Sequence, residues 1–503
     1  MNDVKIESGR LTRRRFLRDV GAGTLGVTVL GSSLATKGGT MTEKKPNILF
    51  IMTDHQRGDS IGMVQAGIEV TPNLNRLASN GVVFTRAYDT CPLCVPARTA
   101  LATGKYPTKN GVVFNDWKGV RAGDHKPIHQ CLAEAGYDVG HIGVHHIRVE
   151  PTIQERVPFS KWISNGEYSR YLKDLGIDDK PPEGRDFFRK EIIEHREGEF
   201  VKTMYSSSKA AVWGHPAEHF KDSYFCQQSA DFISDKRDKP FALFTYLWAP
   251  HPPLRVPEPY ASMFDPQGLQ LPSNLDQPAE GEPPNRRKGI AAQLAEGVSM
   301  DEWRKAWSAH LGLVNLADAG IGRIIKALEE SGQADYTIVV FTVDHGDHLG
   351  QHRMYQKMEM YEQAVRIPLI VRVPGTESRA FHSPVSHLDL MPTLLDLAHV
   401  ESPGDLDGIS LSDSIVSGTA LPDRPVFSQY TGNPTVGDIR RAVITQKYKY
   451  IHDPTDVPEL YDLENDPLEM RNLASDSKYA EVVRELHEEC KVWANGHGDW
   501  VEF

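Results

Sequence analysis

Residues 91–104 combine residue types that could form and hold a reactive group. Cys94 stands two residues before Pro96, and Arg98 follows two residues after that proline. Proline is tolerated in the first turn of a helix, residues 97–102 favour helix, and the glycine at the end is a typical helix stop. The segment predicts a helix with Cys94 at its N-terminus, where unpaired N–H groups and Arg98 favour an anion. The alternative is a buried structural helix whose cysteine is a small apolar residue.

Two apolar runs predict buried parallel strands, and each ends on an acidic residue. Residues 46–53 lead into Asp54, and residues 337–343 lead into Asp344 and His345. Ligands gather at the carboxyl ends of strands in open α/β sheets, so the two carboxylates are expected side by side. They would repel each other, and a hard cation such as Ca²⁺, Mg²⁺ or Mn²⁺ would relieve that repulsion. The alternative is that each acid caps the helix after its strand.

The segment around Cys94 resembles the Cys-x-Pro-x-Arg signature of the type I sulfatases, within the alkaline phosphatase superfamily. The resemblance runs from about Pro46 to the C-terminus. It implies that a formylglycine-generating maturase oxidises Cys94 to formylglycine, whose hydrated aldehyde is the nucleophile. It also implies a sulfuric ester hydrolase with one divalent cation, Ca²⁺ before Mg²⁺ or Mn²⁺. The implied substrate is a sulfated small molecule or saccharide.

The resemblance assigns a metal site residue by residue. Asp54, Asp344 and His345 match metal-binding positions of the family and are expected to hold the cation together with the modified Cys94. His55 stands where the family usually has a second aspartate, so it is the weaker candidate ligand.

Three further side chains are assigned from their flanking sequence. Lys357, in a motif that also contains Glu362, matches a lysine that contacts the sulfate. His251, in Ala-Pro-His-Pro-Pro, matches the histidine beside the leaving-group oxygen, and His146 matches another histidine of the site. Without the family, Lys357 is typical of a solvated helix face, and a single histidine is more often a surface or satisfied core group.

One position departs from the family pattern. Where the family often reads Gly-Lys-Trp-His, residues 143–146 read Gly-Val-His-His, so Val144 replaces an anion-binding lysine. Phosphonate monoester hydrolases and phosphodiesterases also lack that lysine, and they carry an asparagine after the nucleophile helix. This chain has Asn115 there, and the resemblance implies that it binds the substrate. Hydrolysis of phosphonate monoesters or phosphodiesters is therefore the alternative activity. A non-catalytic anion-binding protein is a third hypothesis, which the retained metal acids and Arg98 oppose.

The resemblance implies a mechanism for these parts. The cation and Arg98 hold the hydrated formylglycine, which attacks sulfur in line. His251 or Lys357 then protonates the departing alcohol. His146 takes a proton from the second hydroxyl of the formylglycine carbon, so that sulfate is expelled and the aldehyde is restored. A serine has no such second hydroxyl, which is the chemical reason for an aldehyde.

The first 35 residues are expected to be a twin-arginine signal peptide. Arg13 and Arg14 precede a mildly apolar, glycine-rich segment over residues 20–30 and then small residues. That segment is too short to span a bilayer stably, so no stable membrane span is expected. The enzyme is then expected to be periplasmic or extracellular. The alternative is a basic disordered tail.

The acidic composition excludes a general affinity for nucleic acid or anionic lipid. The formal net charge is −12, and residues 1–35 carry six basic and three acidic groups, so the rest of the chain carries −15. An anionic substrate must therefore be attracted by positive charge at the site itself. The five cysteines are an odd and scattered set, which predicts no disulfide framework.

The patterns predict an α/β fold with a large doubly wound mixed sheet flanked by helices, and a smaller C-terminal antiparallel-sheet domain. The expected boundaries are 45–420 for the catalytic domain and 421–503 for the C-terminal domain. Residues 150–230 are polar and aromatic, and we expect them to form the variable wall of a substrate cleft. One exposed strand is predicted over residues 441–451, and helices over residues 309–328, 388–397 and 478–494.

Overall fold

The computed structural model of the protein describes residues 45–116 and 119–503. Residues 45–503 belong to one compact unit. The predicted signal peptide over residues 1–35 lies outside the described residues. The predicted domain boundary between residues 420 and 421 stays a prediction.

The described residues form 19 strands and 13 α-helices. The strands are β1 (Asn47–Asp54), β2 (Val64–Gln65), β3 (Ile68–Glu69), β4 (Val82–Tyr88), β5 (Asp138–Gly143), β6 (Lys161–Ile163), β7 (Arg189–Arg196), β8 (Glu199–Ser206), β9 (Ala210–Trp213), β10 (Phe241–Pro250), β11 (Leu254–Pro257), β12 (Thr337–Val343), β13 (Arg366–Arg372), β14 (Arg379–Phe381), β15 (Val385–Ser386), β16 (Val426–Tyr430), β17 (Arg440–Ile444), β18 (Tyr448–His452) and β19 (Glu459–Asp462). The α-helices are α1 (Pro72–Ser79), α2 (Cys94–Thr103), α3 (Pro107–Asn110), α4 (Ile128–Glu134), α5 (Ile153–Arg156), α6 (Asn165–Asp174), α7 (Lys221–Ser234), α8 (Ile290–Ala295), α9 (Met300–Glu330), α10 (Glu362–Val365), α11 (Leu390–Leu397), α12 (Ser412–Ser417) and α13 (Ala480–Gly496).

Nine strands of the described residues form one large mixed sheet. Their order is β14–β4–β13–β12–β1–β10–β5–β6, with β15 beside β4. The five strands from β12 to β6 are parallel, whereas β13 is antiparallel to both neighbours. Helices α7 and α9 pack on each other and on β10. Strand β1 lies between β12 and β10 and is buried along its whole length, as its apolar sequence predicts.

The two central strands bring the predicted acids together. Strands β1 and β12 are parallel neighbours in a regular register that starts with Asn47 opposite Thr337. Both strands are fully buried. Their carboxyl ends meet at the same edge of the sheet, so Asp54 and Asp344 are adjacent, as the two apolar runs predict.

The predicted helices are present with shifted ends. The 309–328 prediction lies inside α9, and the 478–494 prediction corresponds to α13. The 388–397 prediction starts two residues early, because His387–Asp389 form a 3₁₀ turn before α11 begins. Among the described residues, every helix is too short or too polar to cross a bilayer.

The C-terminal strands form a separate antiparallel sheet in the order β16–β17–β18–β19. The α/β fold with a large mixed sheet and a smaller antiparallel sheet is therefore confirmed. The single exposed strand predicted over residues 441–451 is wrong, because this segment forms β17, a turn and β18, and both strands are buried. Val443 and Tyr450 pack with Trp493 of α13, whereas Ala442 and Ile451 join the core of the large sheet. An alternating apolar pattern indicates one buried face of a strand, so it did not reveal that the opposite face of β17 and β18 is buried as well.

Buried polar contacts join the smaller sheet to residues 359–362. The Lys449 ammonium lies 2.7 Å from Glu362 Oε1. The Tyr361 hydroxyl donates to Glu459 Oε2 at 2.8 Å. The smaller sheet therefore holds the residues that immediately follow Lys357.

Candidate active site

Helix α2 begins at Cys94 and ends before Gly104, as predicted. Gly104 has a φ of 66°, in the left-handed region that favours glycine. At the other end, the Val95 N–H donates to Asn115 Oδ1 at 3.0 Å, so Asn115 satisfies one of the unpaired N–H groups of the helix. Every residue of α2 is buried. The helix N-terminus therefore faces the interior of the protein.

Arg98 lies between the two carboxylates at the strand ends. Its Nη2 donates to Asp54 Oδ2 at 2.7 Å, and its Nε donates to Asp344 Oδ2 at 2.9 Å. All three side chains are inaccessible to solvent. Its Nη1 donates to the Val144 carbonyl at 2.7 Å. Position 144 therefore contributes a backbone acceptor to Arg98 and no charge to the site.

The thiol of Cys94 faces three of the predicted site residues. Its Sγ lies 3.2 Å from His345 Nε2, 3.5 Å from Lys357 Nζ and 3.7 Å from Asp54 Oδ1. Burial raises the pKa of the Cys94 thiol, and the Asp54 carboxylate raises it further. Because the thiolate is the reactive form, the unmodified cysteine is a weak nucleophile here.

Four of the five predicted metal residues form a tight group. Asp54, His55, Cys94 and His345 each offer one ligand atom, and these atoms lie within 4.8 Å of one another. Asp344 borders the group, since its Oδ2 is 3.7 Å from His345 Nε2. Carboxylate oxygens and imidazole nitrogens are donors that divalent cations accept.

The charges of the site also fit a cation. Burial raises the pKa of Asp54 to about 7, and the neighbouring Asp344 carboxylate adds to the rise. Burial opposes the ionisation of Asp344 as well, but His345 and Arg98 outweigh it and lower the pKa of Asp344 to about 2. Asp54 is therefore harder to ionise than Asp344, and a bound cation would favour its ionised form.

A residue that the sequence did not single out, Asp347, orients His55. Its Oδ2 lies 2.8 Å from His55 Nδ1, and because a carboxylate only accepts, Nδ1 carries the proton. The His55 Nε2 lone pair then faces the Lys357 ammonium in a close contact and lies 3.9 Å from Asp54 Oδ1. Asp347 follows Asp344 by three residues, and its place in that strand-end run is the signal that could have identified it.

Lys357 is part of an irregular, buried segment. Its neighbours Gln356 and Met358 have φ angles of 67° and 79°, which no helix contains. Lys357 itself is 4% exposed. The interpretation of Lys357 as a solvated helix-face lysine is therefore wrong. Glu362, from the same motif, begins α10 and pairs with Lys449 instead.

The two remaining histidines lie near Trp248. The His251 ring centroid is 3.9 Å from that of Trp248 and 4.3 Å from that of His55. His251 Nδ1 bonds the Pro252 carbonyl, so Nδ1 is the protonated nitrogen and Nε2 is the acceptor. The His146 ring is 6.3 Å from Trp248. Burial lowers the pKa of both histidines well below the usual value, and both rings are neutral at pH 7.

Asp222 is a second residue that the sequence did not indicate. Its Oδ1 accepts hydrogen bonds from the backbone N–H groups of Trp248, at 2.6 Å, and Ala249, at 3.1 Å. These contacts fix the end of β10, from which His251 follows. Nothing in the local sequence around Asp222 signals this contact across the fold.

A model of the sulfatase family, described as "Sulfatase", matches residues 46–400. A second model, described as "N-sulphoglucosamine sulphohydrolase, C-terminal", matches residues 350–495. The chain therefore belongs to the sulfatase family of the alkaline phosphatase superfamily, whose members are sulfuric ester hydrolases. The resemblance seen in the sequence is confirmed.

Individual relatives align along most of the chain. An arylsulfatase of Clostridium perfringens is 29% identical over 455 residues, which cover 87% of this chain and 92% of the relative. An N-acetylglucosamine-6-O-sulfatase of Bacteroides thetaiotaomicron is 26% identical over 513 residues, which cover 88% of this chain and 85% of the relative. The crystal structure of a phosphonate monoester hydrolase of Agrobacterium radiobacter has the same fold, with a TM-score of 0.72, 23% identity and coverage of 90% and 96% of the two chains.

Asp344→Asn should remove the cation. The substitution keeps the size of the side chain but takes away the negative charge beside His345 and Arg98, so we expect the affinity for a divalent cation and the turnover to fall by about 100-fold or more. Metal content by mass spectrometry and Ca²⁺ titration by calorimetry measure the loss.

Asp89→Asn is the matched control for that substitution. Asp89 is equally buried, but its carboxyl bonds Ser428 and lies outside the ligand group. Its metal content should equal that of the wild type. An inactive Asp344→Asn protein with wild-type Ca²⁺ affinity would contradict the assignment.

Proposed function

We propose that this chain is an exported sulfatase that hydrolyses sulfate esters of carbohydrates through a formylglycine at position 94. One observation carries the proposal: Cys94 Sγ, at a buried helix N-terminus, lies within 3.7 Å of Asp54, His345 and Lys357. The sulfohydrolase model at the C-terminus and the N-acetylglucosamine-6-O-sulfatase relative support a sulfated sugar as the substrate.

The cation site comprises Asp54, Asp344, His345 and the modified Cys94, with His55 as a further ligand. We propose Ca²⁺, because two carboxylates are hard oxygen donors. When bound, a divalent cation would polarise the sulfate oxygens and stabilise the oxygen nucleophile at position 94. Arg98 keeps Asp54 and Asp344 in place through its two hydrogen bonds, so the ligand geometry is set before any ion binds.

The state of Cys94 supports its modification by a maturase. Burial raises the pKa of its thiol, so the unmodified side chain supplies little thiolate at neutral pH. A formylglycine hydrate at this position offers an oxygen nucleophile in the same place, at the positive end of α2.

Proton transfer is divided between Lys357 and the two histidines. The Lys357 side chain lies between His55 and the side chain of Cys94, where it can donate a proton to the departing oxygen. His251 presents an unprotonated Nε2, so it orients or relays a proton to the leaving group rather than storing one. His146 acts as the base in the step that releases sulfate, on the side of Arg98 and Val144.

Phosphonate monoesters and phosphodiesters are the second candidate substrates. The observation in their favour is Val144, because an apolar side chain stands where a sulfatase often has a cationic lysine, and the contact of Val144 with Arg98 is made by its backbone carbonyl. The fold of a phosphonate monoester hydrolase is compatible with this alternative.

Export and domain organisation complete the proposal. Arg13 and Arg14 would direct the folded chain through the twin-arginine route to the periplasm or beyond. Residues 45–420 would form the catalytic domain and residues 421–503 the C-terminal domain.

Matched esters separate the two candidate activities. We expect the matured enzyme to hydrolyse 4-nitrophenyl sulfate with a higher kcat/KM than 4-nitrophenyl phenylphosphonate or bis(4-nitrophenyl) phosphate, because the family is one of sulfuric ester hydrolases. The leaving group is the same in all three substrates, so the ratio reports the transferred group alone. A ratio that favours either phosphorus ester would replace the sulfatase proposal by the alternative.

Mass spectrometry of a peptide that contains position 94 detects the modification directly. Protein produced with a formylglycine-generating enzyme should yield a peptide across residues 91–98 that carries formylglycine at Cys94 and an unchanged Cys91. Cys94→Ala should abolish turnover, whereas Cys91→Ala, at an equally buried position three residues earlier, should keep it. Active enzyme that contains only the free thiol would exclude the covalent mechanism.

Substrates with different leaving groups distinguish the roles of His251 and His146. A phenolate departs without much help, but a sugar alkoxide needs proton transfer that is typically worth about 10²–10⁴-fold. His251→Ala should therefore reduce kcat/KM on a sugar sulfate far more than on 4-nitrophenyl sulfate. His146→Ala should slow both substrates to a similar kcat, because the alcohol has left before that step. Identical losses for both variants on both substrates would show the assignment to be wrong.

A further inference from the structure

We propose that the cavity beside His251 binds the leaving part of the substrate, and that Lys221 pairs there with a second anionic group of an acidic sugar. That group is a carboxylate, as in a hexuronate, or a second sulfate. The inference rests on the proposed function, since it names which class of sugar sulfate the site accepts.

The cavity lies where the leaving alcohol must lie. It has a volume of 170 Å³ and opens directly beside His251, the histidine assigned to the leaving-group oxygen. Its walls come mainly from residues 150–230, for which the sequence predicts the wall of a substrate cleft, and from β10. Its lining includes Tyr168, Trp213, Lys221, Trp248 and Arg255.

Lys221 has no ion pair among the described residues. Its ammonium lies 5.0 Å from the ring centroid of Trp248 and 5.8 Å from that of Tyr168. In the part of the chain that the structure describes, its ammonium has no carboxylate oxygen within 4.0 Å. Aromatic faces stabilise the charge only in part, so an anion entering the cavity would gain a partner there.

The carboxylates nearest to Lys221, those of Asp179 and Asp222, contact other groups. Asp222 Oδ1 accepts from the backbone N–H groups of Trp248 and Ala249. Asp179 Oδ1 accepts from Trp213 Nε1 at 2.7 Å and pairs with Arg255 at 3.2 Å. Both acids therefore have structural partners, and neither approaches Lys221 closely.

The position of Lys221 at the start of its helix also indicates a binding role. It is the first residue of α7, a helix of 14 residues without a side-chain cap. A helix N-terminus carries partial positive charge, so acidic residues are favoured there and a lysine is unfavourable. Asp222 in the same turn bonds the backbone of Trp248 and Ala249, so the first turn of α7 presents the Lys221 ammonium to the cavity.

A second cavity continues the positive surface. It has a volume of 550 Å³ and shares Asp179, Pro253 and Arg255 with the first cavity. It is also lined by Arg185 and Arg189, and neither guanidinium has an ion pair among the described residues. In a chain of net charge −12, this local excess of cations is a specific feature. A longer acidic saccharide could extend from the first cavity into the second.

Three sugar sulfates with one sulfate in common test the role of Lys221. They are a singly sulfated N-acetylhexosamine without another charge, a sulfated hexuronate and a doubly sulfated hexosamine. We expect Lys221→Gln to raise KM for the two acidic substrates by about 10- to 100-fold, the effect of one charged hydrogen bond. KM for the neutral substrate should stay within about twofold, and Lys221→Arg should retain most of the preference. The hexuronate and the disulfate separate the two kinds of anionic group.

Two measurements distinguish a binding role of Lys221 from a structural one. Lys326→Gln, on the exposed face of α9 next to Glu330, is the matched control and should change no KM. Thermal melting shows whether Lys221→Gln is folded. An equal rise of KM for neutral and acidic substrates, or none for the acidic ones, would overturn the inference.

Binding without turnover separates this inference from the proposed function. Calorimetry with Cys94→Ala measures the affinity for each sugar sulfate in the absence of the nucleophile. If the wild type hydrolyses no sulfate ester, but Cys94→Ala binds acidic sugars and Lys221→Gln weakens that binding, the proposed function fails and the inference stands. If Cys94→Ala binds neutral but not acidic sugar sulfates, the inference fails even though the sulfatase is active.

Discussion

The buried arrangement of one guanidinium between two carboxylates determines the rest of the site. Arg98, on the nucleophile helix, binds Asp54 at the end of β1 and Asp344 at the end of β12. Removing one partner from a buried ion pair typically costs about 3–5 kcal/mol, because the other charge is left without compensation. The contact therefore fixes α2 against the central strands. Once Asp54 is ionised as well, the two carboxylates exceed the guanidinium by one negative charge, which fits the binding of a cation.

The sequence predicted the parts of the site that depend on local signals. Long apolar runs marked β1 and β12, and the rule for strand ends then placed Asp54 beside Asp344. The Pro96 and Gly104 signals marked both ends of α2. These predictions succeeded because each depends on residues that are close together in the chain.

The parts that the sequence missed depend on contacts between distant segments. Asp347 orients His55 across 292 positions of the chain, and Asp222 reaches the backbone of Trp248 from the first turn of α7. Lys357 was assigned only through the family, because its irregular backbone gives no periodic pattern. The hairpin over residues 441–451 was predicted as one exposed strand because the cover on its second face comes from the large sheet.

The smaller sheet contributes to the site although none of its residues enters it. Lys449 and Glu459 hold Glu362 and Tyr361, a few residues after Lys357. The irregular segment around Lys357 thus depends on partners from the C-terminal strands. A chimera that joins the first 420 residues of this chain to the C-terminal strands of a relative would have to keep these partners. In evolution, the two parts of the gene would be inherited together more readily than they could be recombined.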